Sequence, residues 1–218
     1  MLGPLDEYPV HQIPQPVAWP GSSDRNFYDR SYFNAHDRTG NIFLISGIGY
    51  YPNLGVKDAF VLIRRADTQT AVHLSDAIDG DRLHQHVNGY RIEVIEPLQK
   101  LRIVLDGTEG MACDLTWEGL FPVVQEQRHV LRAGNRVTLD AQRFAQVGSW
   151  SGQIVIDGEE ITVDPATWIG TRDRSWGVRP VGEAEPPGRP ADPPFEGMWW
   201  LYVPMAFDDF AIVIIIQE

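Results

Sequence analysis

The stretch Gln153-Ile154-Val155-Ile156-Asp157-Gly158-Glu159-Glu160-Ile161-Thr162-Val163 decides the fold. Two β-branched apolar runs flank an Asp-Gly pair, and such a pair enters the positive-φ conformation of a type I′ turn at little cost. The direct reading is a β-hairpin. Outward from it, short runs rich in Val, Ile, Phe, Tyr and Trp recur between Gly, Asp and Asn, at the spacing of about 8–12 residues found in sandwiches and barrels. Strands are expected at 41–51, 59–65, 69–75, 83–96, 100–106, 111–119, 122–131, 136–140, 143–150, 153–157 and 160–163. Polar and apolar residues exchange faces in Leu101-Arg102-Ile103-Val104-Leu105 and in Arg91-Ile92-Glu93-Val94-Ile95-Glu96, the period of a half-buried strand. Asp106-Gly107 is a second turn candidate, and no stretch carries the pattern of a long helix. The chain is therefore expected to be all-β, a barrel or a strongly curved sandwich.

The flanks differ from this centre. Residues 1–23 are broken by prolines, which remove backbone donors and bias their predecessors away from helix, so an extended arm is expected there. Residues 24–180 form the first β-domain. Residues 181–196, VGEAEPPGRPADPPFE, have no hydrophobic periodicity and read as a connection. Residues 197–218 then supply two further strands, and Phe210-Ala211-Ile212-Val213-Ile214-Ile215-Ile216 is apolar on both faces. The expectation is a second, similar β-domain that is truncated, with residues 210–216 covered by the C-terminal remainder of the chain or by another subunit.

Composition narrows the function. With 43% hydrophobic residues the chain can bury a core, and a formal charge of −12 disfavours nucleic acid and anionic membranes as partners. The longest apolar run falls far short of the roughly 20 residues of a membrane helix, so no transmembrane segment is expected. The N-terminus lacks the basic start and apolar run of a signal peptide, and a cytoplasmic location follows by default. The single Cys113 reads as a small buried hydrophobe.

Gly148-Ser149-Trp150-Ser151-Gly152 is only superficially a nucleophile elbow, because its centre is Trp. Gly47-Ile48-Gly49 lacks the third glycine of a dinucleotide loop, so no cofactor is expected. His84 and His86 share a strand face, but no set at ligand spacing completes a metal site. Ser46-Gly47-Ile48-Gly49-Tyr50-Tyr51-Pro52-Asn53 places tandem tyrosines beside glycines that mark a bulge or bend, with Tyr50, Tyr51 and Asn53 as candidate ligand contacts. Gly170-Thr171-Arg172-Asp173-Arg174-Ser175-Trp176-Gly177-Val178-Arg179-Pro180 concentrates charge and Trp beyond what a plain surface strand needs.

Residues 172–180 resemble the D-H-S/N-W-G element of the carotenoid 1,2-hydratase and AttH-like superfamily, to which tocopherol cyclases and certain fungal Diels-Alderases are similar. Asp24 to Tyr32 with Gly47 to Asn53 resemble the opening of an actinobacterial-type branch. The resemblance implies a lipocalin-like (calycin-type) barrel, two successive β-domains in a longer chain, and chemistry on an isoprenoid- or polyketide-like molecule. This chain departs from the pattern by carrying Arg174 where the hydratases carry His, and a guanidinium is a very poor general acid.

Two functions follow as expectations. The first is hydration or cyclisation of an alkene, with Asp173, Arg174 and Trp176 as catalytic candidates, Asp209 as an alternative acid, and aromatic faces from Trp199, Trp200 and Tyr202 beside Arg179. The second is a non-catalytic carrier in which Arg174 anchors an acidic headgroup. A carbohydrate-binding or structural sandwich is the third reading. If 172–176 is extended, Arg172, Arg174 and Trp176 point one way, with Arg174 and Trp176 facing the cavity, while Asp173 and Ser175 point the other, where an ion pair of Asp173 with Arg179 or another arginine is expected.

Overall fold

A computed structural model describes residues 1–180, 188 and 199–217. Among them the helical pieces are two 3-10 turns, Pro4–Glu7 and Pro52–Leu54. The strands are β1 (Phe27–His36), β2 (Ile42–Tyr51), β3 (Val56–Arg65), β4 (Thr68–Ala77), β5 (Gln85–Val87), β6 (Tyr90–Glu96), β7 (Lys100–Thr108), β8 (Met111–Gly119), β9 (Val124–Gln125), β10 (His129–Ala133), β11 (Arg136–Ile156), β12 (Glu159–Val163), β13 (Ile169–Val178), β14 (Trp200–Ala206) and β15 (Ala211–Gln217).

One sheet runs β4-β3-β2-β1-β13-β11-β8-β7-β6-β5, and β9, β10 and β12 pair with β11. At its ends β5 lies against β2, β3 and β4, and Asn88 donates to Ser75 O at 2.9 Å. The result is a nearly closed antiparallel barrel, lipocalin-like as expected, with little unpaired edge left for aggregation.

Alternate residues fill the interior. Phe33, Leu44, Ile48, Val61, Tyr90, Ile103, Leu115, Trp117, Trp150 and Ile154 are buried together, and each large side chain withdrawn from water contributes about 1.5–3 kcal/mol. The Trp117 and Trp150 rings meet edge to face at 5.1 Å, and Trp150 Nε1 donates to Asn34 O at 2.8 Å. The Ser46 and Tyr90 hydroxyls bond at 2.5 Å inside the barrel. Cys113 is buried in the same core. At Gly170, β13 passes so close to β1 that a Cβ would collide with the Asn34 carbonyl.

The 157–158 turn forms as expected, with φ of 50° at Asp157 and 83° at Gly158. Asp106-Gly107 is not a turn: it lies within β7 at a register shift between Leu105 and Thr108, and the chain reverses at Glu109-Gly110 instead. A bulge has absorbed the extra residues. The three strands expected between 136 and 157 are one, β11, and 83–96 divides at Asn88, φ 49°, into β5 and β6. No expected strand covered β1 or β13, whose inward-facing Asp29, Ser31, Arg172 and Arg174 interrupt the apolar alternation.

The N-terminal arm is not simply extended. The Asp6 carboxylate accepts from Gly3 N and Val17 N, each at 2.7 Å, folding the arm on itself, and these bonds hold its pKa below the usual carboxylate value. Arg82 Nη2 donates to Ala18 O at 3.1 Å, tying the arm to the barrel.

β14 and β15 form a separate two-stranded sheet, closed by stacked Phe207 and Phe210 rings 4.5 Å apart. Ile212, Ile214, Ile215 and Ile216 are exposed. The connection expected at 181–196 lies outside the described residues except for Gly188. Among the described residues no helix is long and apolar enough to cross a membrane.

Candidate functional site

β13 runs between β1 and β11, and residues directly across a ladder share a face. Arg172 stands opposite Phe33 and Gln146, Arg174 opposite Ser31 and Phe144, and Trp176 opposite Asp29 and Gln142. These form the inner wall. Asp173 stands opposite Tyr32 and Ala145, and Ser175 opposite Arg30 and Arg143, on the outer wall. The two faces border different cavities.

The inner cavity, about 470 Å³, lies at the mouth of the barrel. Phe33, Ile92, Val94, Pro97, Leu98, Leu101, Phe144 and Trp176 make it apolar, while Asp29, Ser31, Gln85, Arg172 and Arg174 supply its polar groups; Asp173 also borders it, although its side chain belongs to the other face of β13. It shares Gln85, Ile92 and Val94 with a neighbouring groove of about 680 Å³. Arg174 Nη2 donates to Asp29 Oδ1 at 2.9 Å. Arg172 is only 6% exposed; its Nε donates to Gln146 Oε1 at 2.7 Å and its guanidinium lies 5.4 Å from the Phe144 ring centre. Gln146 is itself fixed, because its Nε2 donates to Leu98 O and Phe121 O at 3.0 and 2.7 Å. Arg172 Nη2 is buried without a hydrogen-bond partner among the described residues. Burial, with the positive charge of Arg174, lowers the Arg172 pKa to about 10, so the group stays protonated at neutral pH.

The outer pocket, about 230 Å³, lies between the barrel wall and the β14–β15 hairpin and is lined by Arg30, Tyr32, Phe60, Glu126, Arg143, Asp173, Ser175, Arg179, Trp200 and Tyr202. Trp200 and Tyr202 stack at 5.6 Å. Burial raises the Asp173 carboxyl to about 6, against the opposing charges of Arg143, Arg179 and Arg30 and with that of Glu126. The expected ion pair does not form: Asp173 has no salt bridge or hydrogen bond among the described residues, and Arg179 instead lies 4.6 Å from the Tyr28 ring centre. β13 holds Asp173 beside the arginines without bringing their charged ends into contact. Burial also raises the Tyr202 hydroxyl to about 12 and that of Tyr32, so both remain protonated near neutrality.

The expected site is thus split. Arg174 and Trp176 reach the inner cavity; Arg179, Trp200 and Tyr202 reach the outer pocket, and Asp173, its side chain on the outer face, borders both. Tyr50 lies under Arg82, 5.6 Å from ring centre to guanidinium, with its hydroxyl raised by burial to about 12. Tyr51 donates to Asp58 Oδ2 at 3.3 Å. Asn53 Nδ2 donates to Ser22 O and Asp24 O at 2.7 and 2.8 Å, which commits its amide to the arm. Trp199 and Asp209 are exposed and line neither cavity. Gly47 and Gly49 mark no bulge, since the β1–β2 register is continuous; they leave room for the Phe60 ring and the Tyr51–Asp58 pair. His84 bonds to Asp81 at 2.5 Å, and no group of three or more metal-binding side chains gathers among the described residues.

The model of a family of unknown function, DUF8625, matches residues 2–218. This chain belongs to that family. No curated protein matches this DUF8625 member. It is similar in structure to a putative AttH from Nitrosomonas europaea, at 14% identity and a TM-score of 0.55, over 80% of this chain and 58% of that one. It is also similar to kievitone hydratase from Nectria haematococca, at 15% identity and a TM-score of 0.55, over 80% of this chain and 52% of that one. The DUF8625 chain therefore spans little more than half the length of either. At such identities the likeness is one of fold, the AttH-like barrel that residues 172–180 implied.

The strand period put Arg172 on the face of Arg174 and Trp176, but it was not made a candidate contact. Asp29, Phe144 and Gln146 on the inner wall, and Tyr32, Glu126 and Arg143 on the outer, were not singled out from the sequence. They arrive from strands distant in sequence, and no local signal marks them.

Proposed function

We propose that this protein holds an apolar, isoprenoid- or polyketide-like small molecule in the cavity at the mouth of the barrel. The observation that carries this reading is the meeting of Arg174 and Trp176 on a space of about 470 Å³ whose walls are mostly apolar side chains with a few polar groups among them, a size common among small-molecule sites. Binding is favoured there over proton-transfer chemistry. Asp29 is engaged by Arg174, and guanidinium groups are poor acids.

A second reading, hydration or cyclisation of an alkene, is favoured by one observation in the outer pocket. Asp173, with its carboxyl raised to about 6, is poised to exchange a proton near neutral pH, beside the aromatic faces of Trp200 and Tyr202. Native mass spectrometry of the protein from its source cells separates the two. A copurified apolar molecule retained by Asp173→Asn and lost by Arg174→Leu supports binding in the inner cavity. A ligand that gains the mass of water on incubation, only when Asp173 is present, supports the hydratase reading. Loss of the ligand in Asp173→Asn with retention in Arg174→Leu overturns the inner-cavity assignment.

A further inference from the structure

The inner cavity contains a positive charge that its own walls leave unanswered. Asp29 engages Arg174, and Gln146 offers Arg172 only a neutral oxygen, at Nε. β5 contributes the neutral Gln85 to the wall, β1 the Ser31 hydroxyl, and β6, β7 and the turn between them only Ile92, Val94, Pro97, Leu98 and Leu101. Asp173 projects to the opposite face of β13. Among the described residues Arg172 Nη2 is therefore left buried, protonated and without an acceptor, an arrangement that proteins seldom keep unless something else completes it.

We infer that the molecule taken by this cavity is a monoanion, an apolar chain or ring system ending in one carboxylate that accepts from Arg172 Nη2, with its body against Phe33, Val94, Leu101 and Phe144. This rests on the reading of the cavity as a small-molecule site and goes further by fixing the chemical class. Among the described side chains that face inward, two arginines against one aspartate leave one net positive charge, which a carboxylate balances; the Asp173 carboxylate lies on the other face of β13. A phosphate monoester brings a second negative charge for which the walls hold no partner, and a neutral alkene or alcohol leaves Arg172 as it is. Planar carboxylates also match the guanidinium fork. Arg172 is then the residue that sets specificity, and the Arg174–Asp29 pair forms the adjoining rim.

The test uses a fluorescent polyene fatty acid and its methyl ester, two probes with the same chain and different heads, titrated into the full chain. Three variants accompany it: Arg172→Met, Arg172→Lys, and Val94→Trp, which fills the mouth from a solvent-exposed position. The acid is expected to bind at least about tenfold more tightly than the ester, the scale of a hydrogen bond to a charged group. Arg172→Met should bring the acid down to the affinity of the ester while leaving the ester unchanged, and Arg172→Lys should keep part of the preference. Val94→Trp should weaken both. Equal binding of acid and ester by the wild type, with both weakened by Val94→Trp, overturns the monoanion and leaves the cavity reading standing. Failure of both probes to bind, or binding of both untouched by Val94→Trp, overturns the cavity reading and the monoanion with it. Thermal unfolding of Arg172→Met verifies that it is folded, and if it is not, retention of the acid preference by Arg172→Lys decides for the inference and its loss decides against.

Discussion

Replacing Asp173 by Asn tests the electrostatics of the outer pocket most directly. The folded protein holds this carboxyl at about 6, from an ordinary 3.8, because burial disfavours its charged form more than the neighbouring arginines favour it. At about 1.36 kcal/mol per pH unit, the site penalises the ionised group by about 3 kcal/mol. The sign follows from proton binding. Between 3.8 and about 6 the folded chain holds a proton that the unfolded chain has released, so stability rises as the pH falls through this window, and above it the full penalty applies. The amide introduced by Asp173→Asn does not titrate. It needs hydrogen bonds of its own, which brings the expected gain at about pH 7.5 down to about 1–2 kcal/mol, or roughly 2–8 °C in Tm for a chain of this size. Thermal unfolding of both proteins at about pH 7.5 and about pH 4.5 is the assay, and the difference should fall by about 2 kcal/mol, to about zero or slightly below, at the lower value, because the ionisation penalty shrinks while the cost of the amide does not. Comparing the two proteins at each pH cancels the titration of every other carboxylate. A variant less stable than wild type at about pH 7.5 would refute the reasoning and restore the structural ion pair. A gain of equal size at both pH values would refute its electrostatic origin.

Gly170→Ala should lose about 2 kcal/mol or more in chemical denaturation, because its methyl group must displace the Asn34 backbone or part β13 from β1. Asn53→Ala should cost about 1–2 kcal/mol by freeing the carbonyls of Ser22 and Asp24, while ligand affinity is unchanged; a specific loss of affinity would make Asn53 a contact after all. Cys113, buried and with its thiol pushed up to about 12, should resist a thiol reagent in the folded protein and react on unfolding. Rapid modification of the native chain would show that the β7–β8 region opens.

The all-β character, the absence of long helix and the Asp157-Gly158 hairpin follow from local chemistry, in which apolar alternation and a turn pair act within a few residues of one another. So did the opposite orientations of Arg174 and Asp173, because a strand sends neighbours to opposite sides wherever it lies. Local chemistry failed where a strand carries function: β1 and β13 bring polar side chains inward, and the alternation that reveals a strand was lost at the residues that line the cavity. The environments were beyond it as well. Whether Asp173 meets an arginine is settled by β1, β11 and the β14–β15 hairpin, and Arg172 lacks an acceptor because of what β1, β5, β6, β7 and β11 bring to the same space. The sequence alone determined which residues share a face. Only the closed sheet decided what each face meets, because hydration, charge and hydrogen bonding depend on neighbours through space, and Arg174 and Asp29, for one, are 145 residues apart along the chain.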